Sequence, residues 1–486
     1  MRICLITPPS PFLLDERVFM HIGVLKVASS LEEEGHKVDF LDLAGVEEYE
    51  EVISTYLQDY PEVKTFGITA TTPQIPYAIR CADTIRNTRL TNKTILGGTH
   101  ASLMHSAYKK GTSRAVEDIE KLLLHFNVLV AGDGERAIFD ALRLDEGIVD
   151  ADDPKSSLFL KSEDLSELPF PARHLVDVDS YHYSIEGAKA TSVICQLGCP
   201  FKCTFCGGRN SPFLRRIRTR SADSVIDEVR HLYHAHGFTG FMFYDDELNV
   251  NKEWETLLEK LIKLQHEVGE DFMLRGFVKA ELFTQRQADL MYNAGFRWLL
   301  TGFESGDERI LTNIEKNATV EDNTRCIGYA KNAGLKVKAL MSIGHAGESQ
   351  ETINNTKQWL LDVQPEDFDC TIITTYPGSP YFDDAEYDGE KYIYTQPRTG
   401  DKLYQKKLDY LEEPDYYKGD PEGGYTSYVW TDYIDANELV KERDKLEKEV
   451  RETLNIPFNP AGGFVKFEHS MGQGNIPSSI LRRTHD

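Results

Sequence analysis

The sequence predicts an α/β protein in which two strand-helix repeats are followed by a C-terminal region of different composition. Short apolar strands alternate with amphipathic helices over residues 1–145, and the alternation resumes near residue 191 after a turn-rich stretch. The chain has 486 residues, 41% of them apolar, which is enough for two or three hydrophobic cores. No apolar run approaches the roughly 18 residues of a membrane span, so we expect no membrane segment.

Residues 1–145 predict a doubly wound, Rossmann-like domain, because a parallel sheet covered on both faces explains this alternation. Its strands are expected at 2–7, 37–42, 66–70, 94–98 and 128–135. Helices are expected between them, for example at 24–34, 52–60 and 75–86. Small or polar residues follow three of the strands, at 69–72, 97–101 and 132–135, where doubly wound sheets bind ligands.

Residues 146–190 contain many turn-forming residues and are expected to be a linker. Residues 191–385 then predict a partial (βα)6 barrel of the TIM type. Its six strands are expected at 192–196, 240–246, 273–278, 298–304, 336–344 and 370–376. In such a barrel the reacting groups lie at the C-terminal ends of the strands.

Residues 386–486 predict a small mixed C-terminal region. Tyrosine is dense there, glycine and proline interrupt the pattern, and one charged helix is expected near 436–454. The end of the chain shows no periodicity, and we expect it to be partly disordered. The region is interpreted as a cap over the barrel mouth or, equally well, as a simple packing appendage.

The formal net charge of −25 argues against a nucleic-acid partner, which needs a basic face. The local basic stretch "RRIRTR" at 215–220 is interpreted as a loop between elements or a contact with an anionic cofactor. The start, "MRICLITPPSPF", is typical of a strand and turn and not of a signal peptide, so we expect a cytoplasmic protein. In that reducing compartment the eight cysteines are expected to be buried, metal-bound or catalytic, not disulfide-paired.

The stretch "GCPFKCTFC" places Cys199, Cys203 and Cys206 in one short loop after the first barrel strand. Three thiolates that bind a four-iron cluster leave one iron with an open position for a substrate or cofactor. Two alternatives are a zinc site with Cys195 as the fourth ligand, or a set of unrelated buried thiols. The zinc alternative is disfavoured, because zinc ligands usually come as two separate pairs and Cys195 is expected within the strand.

The cysteine loop, with the aromatic Phe205 before its third cysteine, resembles that of the radical S-adenosylmethionine (SAM) superfamily. Three further stretches match the family in order at strand ends: "FYDDELNVN" (243–251), "GFESG" (302–306) and "YPGSP" (376–380). The resemblance covers about residues 185–385. It implies a 4Fe-4S cluster that binds SAM at its open iron and cleaves it reductively to a 5′-deoxyadenosyl radical.

The resemblance also implies roles for individual SAM-binding residues. Asp245 and Asp246 would accept hydrogen bonds from the SAM ammonium, Arg275 would bind its carboxylate, and Glu304 with Ser305 would reach its ribose. The alternatives are structural roles: the two acids cap the next helix, and Arg275 forms an ordinary salt bridge.

The sequence departs from the family after the fifth barrel strand. Relatives commonly have G-x-P-G-E-T there, whereas this chain has "IGHAGES" (343–349). His345 is therefore a candidate catalytic residue that contacts substrate or donates a proton. A lone histidine is also often a hydrogen-bonded structural residue.

The first domain lacks G-x-G-x-x-G after its first strand, which disfavours a dinucleotide-binding dehydrogenase. Ahead of a radical SAM barrel, "LGGTHAS" (96–102) and "GDGE" (132–135) resemble the cobalamin-binding domain of class B radical SAM enzymes. The D-x-H-x-x-G motif of other cobalamin proteins is absent, so any cobalamin is expected to lack a protein histidine ligand. The implied cobalamin-binding residues are Thr69, Thr71, Gly97, Gly98, Thr99, His100, Ala101, Gly132, Gly134 and Glu135.

Together these features favour cobalamin-dependent methylation of an unactivated carbon or phosphorus centre in a small molecule, with an electron donor such as flavodoxin or ferredoxin. The alternative is rearrangement, cyclisation or deoxygenation without methyl transfer, with a vestigial cobalamin domain. A non-enzymatic metal-binding scaffold is a third hypothesis. A methylthiotransferase is disfavoured, because it needs three more cluster cysteines in a first domain that has only Cys4 and Cys81.

Overall fold

A computed structural model describes residues 1–13, 15–414, 416–417 and 425–457. The first region is a parallel sheet with helices on both faces. Its strands are β1 (Arg2–Thr7), β2 (Lys37–Asp42), β3 (Thr65–Thr69), β4 (Lys93–Gly97), β5 (Val128–Gly132) and β6 (Gly147–Ala151). Its helices are α1 (Ile22–Glu33), α2 (Tyr49–Asp59), α3 (Ile75–Thr88), α4 (Thr99–Lys109), α5 (Ser113–His125) and α6 (Gly134–Arg143).

The strand order β2-β1-β3-β4-β5-β6 confirms the predicted doubly wound fold. The buried strand residues pack against helices on both faces, in two separate clusters. The sixth strand is a difference from the sequence interpretation, because it lies inside the stretch expected to be a linker. Gly147–Ala151 pairs in parallel with β5 over its full length, and its Val149 and Ala151 are buried.

The second region is a partial barrel, reached through α7 (Ser162–Glu167) and the short strand β7 (Ser184–Ile185). Its strands are β8 (Ala188–Val193), β9 (Gln196–Leu197), β10 (Arg218–Thr219), β11 (Gly240–Phe243), β12 (Met273–Phe277), β13 (Phe296–Glu304), β14 (Lys336–Ile343) and β15 (Asp367–Ile372). Its helices are α8 (Pro212–Arg215), α9 (Ala222–His236), α10 (Trp254–Val268), α11 (Gln285–Asn293), α12 (Glu308–Asn313), α13 (Val320–Asn332), α14 (Gln350–Val363) and α15 (Pro380–Asp383).

Six parallel strands form the predicted partial barrel, in the order β15-β14-β13-β12-β11-β8, and β7 adds an antiparallel edge beside β8. The faces of these strands that point outward pack against the surrounding helices in the largest hydrophobic cluster of the molecule. The short strands β9 and β10 form a separate antiparallel pair that flanks the cysteine loop. The C-terminal strand ends therefore lie at one mouth, as the fold requires.

The C-terminal region adds an antiparallel sheet and a long helix to the side of the barrel. Its elements are β16 (Glu386–Tyr387), β17 (Lys391–Thr395), β18 (Lys402–Lys406), β19 (Val429–Trp430) and α16 (Ala436–Leu454). The small sheet packs on loops that follow barrel strands: Gln396 Nε2 donates to Asn313 O at 3.1 Å, and Thr431 Oγ1 donates to Glu348 O at 2.7 Å. Residues 458–486, where disorder is predicted, lie outside the described residues.

Side chains of α16 form hydrogen bonds with backbone groups on the outer edge of β15, which would otherwise be unpaired. Glu447 Oε1 accepts from Cys370 N at 2.6 Å, and Arg443 Nε donates to Cys370 O at 2.8 Å. Arg451 Nε donates to the other Glu447 oxygen at 2.7 Å. The helix thus closes the open edge of the barrel with buried charged side chains. Among the described residues, no helix is long and apolar enough to cross a membrane.

We expect Glu447→Ala to lower the free energy of unfolding by about 3 to 5 kcal/mol, because it leaves the Cys370 amide without its acceptor and removes the buried carboxylate that pairs with Arg443 and Arg451. The control Glu449→Ala removes an ion pair of the same helix with Lys357, in which the glutamate side chain is 43% exposed. It should cost about 0 to 1 kcal/mol. Urea unfolding followed by circular dichroism measures both, and equal losses would contradict the edge role of Glu447.

Candidate functional site at the barrel mouth

The cysteine loop follows β8 and is held by backbone hydrogen bonds. Cys199 N donates to Leu214 O at 3.0 Å, and Thr204 N donates to Ile314 O at 2.9 Å. A turn closed by Cys206 N and Cys203 O, at 3.2 Å, brings the second and third cysteines together. Cys203 is buried, whereas Cys199 and Cys206 are half-buried. The loop is therefore fixed by its backbone while two of its thiols remain accessible.

The three thiols lie close enough to influence one another. Burial raises the pKa of the Cys199 thiol to about 12, and the nearby Cys206 adds to the effect. Burial also raises the pKa of Cys203, with a further contribution from Cys206, while Lys316 and Lys279 oppose it. Thiolates in this environment need positive charge beside them, which bound iron supplies.

The zinc alternative receives no support from the structure. In the part of the chain that the structure describes, no three His, Cys, Asp or Glu side chains converge so that they could hold a single metal ion. Cys195 was expected within the strand, but β8 ends at Val193, and Cys195 lies fully buried just beyond it.

Asp245 anchors the backbone that leads into the cysteine loop. Its Oδ1 accepts from Cys195 N at 2.7 Å and from Gln196 N at 3.0 Å. Burial raises the pKa of this carboxyl to about 7. Asp246 is exposed at the mouth, whereas Asp245 is buried. Of the two acids predicted to bind the SAM ammonium, Asp246 is thus the more accessible one.

Glu304 ends β13 in a strained conformation. Its φ of +65° is in the left-handed region, and the pairing of β13 with β14 shifts register between Gly302 and Glu304. Such a residue costs about 1 to 3 kcal/mol and persists where surrounding contacts enforce it. Here Lys316 Nζ lies 3.1 Å from Oε1, and Ser342 Oγ donates to Oε2 at 2.7 Å. Burial opposes ionisation, but these two partners hold the pKa of Glu304 below its ordinary value.

Two buried lysines at the mouth were missed by the sequence interpretation. Lys279 Nζ donates to Lys316 O at 3.1 Å, lies 3.2 Å from Glu281 Oε1 and is 4.6 Å from the centre of the Phe201 ring. Burial raises the pKa of the nearby Glu247 carboxyl to about 7, while Lys316 and Lys279 oppose the shift. Lys279 lies two residues after the end of β12, so the strand-end rule that selected the acids would also have selected it.

Arg275 and Ser305, both predicted to bind SAM, contact neighbouring protein groups in the structure. Arg275 is in the middle of β12, with its guanidinium 6.0 Å from the centre of the Trp298 ring at the start of β13. Ser305 is buried, and its hydroxyl lies 3.0 Å from Thr356 Oγ1 on α14. The charges of Lys316 and Lys279 act on the Cys203 thiol and oppose the rise in its pKa that burial causes.

His345 is fully buried and hydrogen-bonded on both sides. Its Nε2 lies 2.8 Å from Ser342 Oγ, and its Nδ1 lies 3.3 Å from the Tyr381 hydroxyl. Since Ser342 donates to Glu304, its oxygen accepts from Nε2–H, and Nδ1 accepts from Tyr381. Burial lowers the pKa of His345 to about 4, so the ring is neutral. Phe205 packs against it at 5.3 Å between ring centres.

The loops after β4 and β5 form a narrow cradle at the edge of the first sheet. Gly98 has a φ of +94°, and a Cβ there would lie 2.7 Å from Thr69 Oγ1. Gly132 has a φ of +93°, and a Cβ there would lie 2.5 Å from the Ala151 carbonyl carbon. The Ser102 hydroxyl joins the two loops, because it donates to Gly98 O at 3.2 Å and accepts from Gly132 N at 2.9 Å. This bridge by Ser102 was not predicted from the sequence.

His100 sits at the start of α4 with no exposed surface. Neither ring nitrogen has a hydrogen-bond partner among the residues that the structure describes. Burial lowers its pKa to about 3, so it is neutral. The neighbouring Gly98, Thr99 and Thr71 are exposed, and Gly97 O accepts from Ala70 N at 3.1 Å, with Ala101 buried behind them.

The "GDGE" loop has a different local role. Asp133 accepts from Leu160 N at 2.9 Å and pairs with Arg218 of β10. A Cβ on Gly134 would lie 2.9 Å from Val27, so this glycine permits α6 to approach α1. Glu135 is buried in the first turn of α6. Within this loop, Gly132 alone belongs to the cradle.

The first domain contacts the cysteine loop directly. Leu103 of α4 would lie 3.0 Å from a Cβ on Gly207 and 2.9 Å from one on Gly208, the residues that follow Cys206. Asp152, just after β6, accepts from Ser211 Oγ and Phe213 N, both at 2.7 Å. The cradle after β4 and the three cysteines therefore lie on opposite sides of one domain boundary.

Comparison with known proteins agrees with this arrangement. Residues 193–360 match the Radical SAM superfamily. They form a radical SAM domain. Such a domain implies a 4Fe-4S cluster and SAM, and the three cysteines predicted to bind the cluster, Cys199, Cys203 and Cys206, lie within the matched residues.

The chain is similar to known proteins over most of its length. It is 26% identical over 399 residues to an uncharacterised methyltransferase of Pyrococcus horikoshii, covering 78% of this chain and 82% of the relative. It is 27% identical over 346 residues to an anaerobic magnesium-protoporphyrin IX monomethyl ester cyclase of Rubrivivax gelatinosus, covering 68% and 61%. The chain thus spans less than two thirds of that cyclase.

A solved structure shares the fold of both domains. The radical SAM methyltransferase TsrM from Kitasatospora setae, with cobalamin and a [4Fe-4S] cluster bound, superposes with a TM-score of 0.64 at 16% identity. The match covers 98% of this chain and 93% of TsrM. The predicted order of a doubly wound domain and a partial radical SAM barrel is therefore confirmed.

Replacement of Cys199, Cys203 or Cys206 by alanine should abolish cluster binding, because each thiolate holds one iron. The matched control is Cys195→Ala, which removes a fully buried thiol four residues before the loop. Iron content after anaerobic reconstitution measures the effect. If Cys195→Ala loses as much iron as Cys206→Ala, the site uses four thiolates and the open iron position is lost.

Proposed function

We propose that this radical SAM enzyme is a cobalamin-dependent methyltransferase that modifies an unactivated carbon or phosphorus centre of a small molecule. One observation carries the proposal. The cradle of Gly98 and Gly132 lies on the first-domain side of the boundary, and the cysteine loop lies on the other side. The fold match with a cobalamin-bound methyltransferase over nearly the whole chain supports it. We also propose an electron donor of the flavodoxin or ferredoxin type, no nucleic-acid partner and a cytoplasmic location.

The first domain fits cobalamin in two respects. The backbone of Gly98 is exposed at the strand end, so a large cofactor can approach it closely, and glycine is needed there because a Cβ would collide with Thr69 and Ala70. Beside it, the buried His100 has two unsatisfied ring nitrogens, which is costly unless a bound group supplies partners. A cofactor can supply these partners only if the surrounding loop moves, because His100 has no exposed surface.

The barrel mouth fits the cluster and SAM. Cys199, Cys203 and Cys206 would hold three irons, Asp246 would accept from the SAM ammonium, and Glu304 would accept from its ribose hydroxyls. When bound, the cluster with SAM supplies a 5′-deoxyadenosyl radical, and cobalamin supplies a transferable methyl group. The role of the protein is to orient these groups. Lys316 and Ser342 hold the strained Glu304 in place, and His345 holds Ser342 in place.

The two buried lysines would act on the SAM carboxylate in place of Arg275. Lys279 and Lys316 lie beside Cys203, next to the iron-binding position, and both are shielded from solvent. A buried ammonium interacts strongly with an anion in a medium of low dielectric constant. Their charge also offsets the acids Glu247 and Glu304.

Anaerobic reconstitution of the full chain with iron, sulfide and hydroxocobalamin tests the proposed function. With SAM and dithionite, we expect 5′-deoxyadenosine and S-adenosylhomocysteine together, since methylation consumes a second SAM. Chromatography with mass spectrometry measures both products, and Cys203→Ala is the control that should form no 5′-deoxyadenosine. Formation of 5′-deoxyadenosine and methionine alone would favour chemistry without methyl transfer, the class to which the related cyclase belongs by name.

We expect Gly98→Ala to weaken cobalamin binding at least about tenfold, or roughly 1.4 kcal/mol, because the added Cβ would overlap Thr69 Oγ1 and the backbone of Ala70. Gly111→Ala is the matched control: it has a similar φ of +80°, but its Cβ would meet nothing within 4 Å. Equilibrium dialysis with hydroxocobalamin measures the dissociation constants. Unchanged binding in Gly98→Ala would remove the cradle from the cofactor site.

A further inference from the structure

We propose that Arg215 is a positioning residue that holds Cys206 in place and raises the reduction potential of the iron-sulfur cluster. Its Nη2 lies 3.2 Å from Cys206 Sγ and donates to Gly207 O at 2.5 Å. Its Nε donates to Gly208 O at 3.3 Å. One guanidinium therefore binds the sulfur and the two carbonyls that follow it.

The position of Arg215 is set by the first domain. Arg215 ends the short helix α8, whose preceding residue Ser211 and second residue Phe213 are both bound by the Asp152 carboxylate, at 2.7 Å each. Asp152 has no exposed surface, and Lys109 of α4 lies 3.0 Å from its other oxygen. The domain that carries the cradle thus fixes the residue that contacts the third cysteine.

Arg215 places a positive charge beside the cysteine loop. The guanidinium is half-buried and lies 3.2 Å from Cys206 Sγ. On the other side of the loop, Lys279 and Lys316 lie beside Cys203. The three cysteines are therefore flanked by cations on both sides.

A fixed cation should change how easily the cluster accepts an electron. Reduction adds one electron from an external reductant to the cluster and changes no bond of the protein, so the bound unit becomes more negative by one charge. A guanidinium hydrogen-bonded to a ligand sulfur stabilises the reduced form more than the oxidised one. Hydrogen bonds to cluster sulfurs and nearby charge are recognised determinants of the potential.

This inference rests on the cluster of the proposed function and not on cobalamin or methyl transfer. The test uses the reconstituted full chain, dithionite as reductant and redox mediators, with electron paramagnetic resonance of the reduced cluster as the readout. Three variants are compared with the wild type: Arg215→Gln removes the charge, Arg215→Lys keeps the charge without the planar fork, and Arg209→Gln is the control. Arg209 belongs to the same loop and is half-buried, but it pairs with Glu315 at 2.9 Å.

We expect Arg215→Gln to shift the midpoint potential to a more negative value, with at least a tenfold smaller ratio of reduced to oxidised cluster at a fixed potential. For a one-electron couple, tenfold corresponds to about 59 mV. Arg215→Lys should retain part of the potential, and Arg209→Gln should keep the wild-type value. Iron content should be the same in all four proteins.

Two results would overturn the inference while leaving the proposed function intact. One is an unchanged potential in Arg215→Gln, and the other is an equal shift in Arg209→Gln. Loss of the cluster from both Arg215 variants would assign the residue to cluster assembly instead and would equally refute a role in the potential. A wild-type protein that assembles no cluster would contradict the proposed function itself.

Discussion

The Asp245 carboxylate fixes the point at which the first barrel strand becomes the cysteine loop. Where β8 ends, the amides of Cys195 and Gln196 point into the protein, and a buried amide without an acceptor costs about 1 to 3 kcal/mol. One carboxylate oxygen accepts from both. The loop therefore leaves the strand in a defined direction, and the places of the three thiols follow from that direction.

The mouth of the barrel contains more buried charge than its fold alone requires. Lys279, Lys316, Glu247 and Glu304 meet within one network, although buried ion pairs are often no more stable than apolar replacements. The left-handed backbone at Glu304 adds strain to this cost. Charge and strain at one place indicate that the arrangement is kept for orientation of ligands and not for stability. The same reasoning applies to His100, whose unsatisfied ring nitrogens are costly to the protein without a ligand.

Helices and strands were predictable because the spacing of their apolar residues reflects which faces of each element are buried. The ranges 2–7 and 37–42 coincide with β1 and β2, and the predicted charged helix coincides with α16. β6 was missed, because an edge strand of five residues beside Asp145 and Glu146 does not differ from a turn in composition. The early end of β8 was missed as well, because it depends on Asp245, which is 50 residues away in the sequence.

Site residues were predictable where chemistry depends on spacing and unpredictable where it depends on tertiary contact. The cysteine spacing is local, so it could be read directly. Lys279 and Lys316 were missed, because a lysine in a sequence is expected to be solvated unless its partners are known. Asp245 was assigned to SAM from its position at a strand end, and its backbone partners Cys195 and Gln196 could not be predicted from the sequence. Arg275 lies on a barrel strand, as predicted. Its depth within the barrel could not be predicted, because it depends on Trp298 at the start of the neighbouring strand.

The domain boundary is held by polar contacts, and this has a consequence for catalysis. Arg218 pairs with Asp133 and Asp152 binds α8, with all three side chains buried. Apolar packing tolerates small shifts, whereas a buried ion pair loses several kcal/mol if its partners separate. The two domains are thus joined in one relative orientation at the point where a cofactor on the first sheet must face the cysteine loop. Since an error of about 1 Å in the position of reacting groups can cost two orders of magnitude in rate, such an interface suits a reaction divided between two domains.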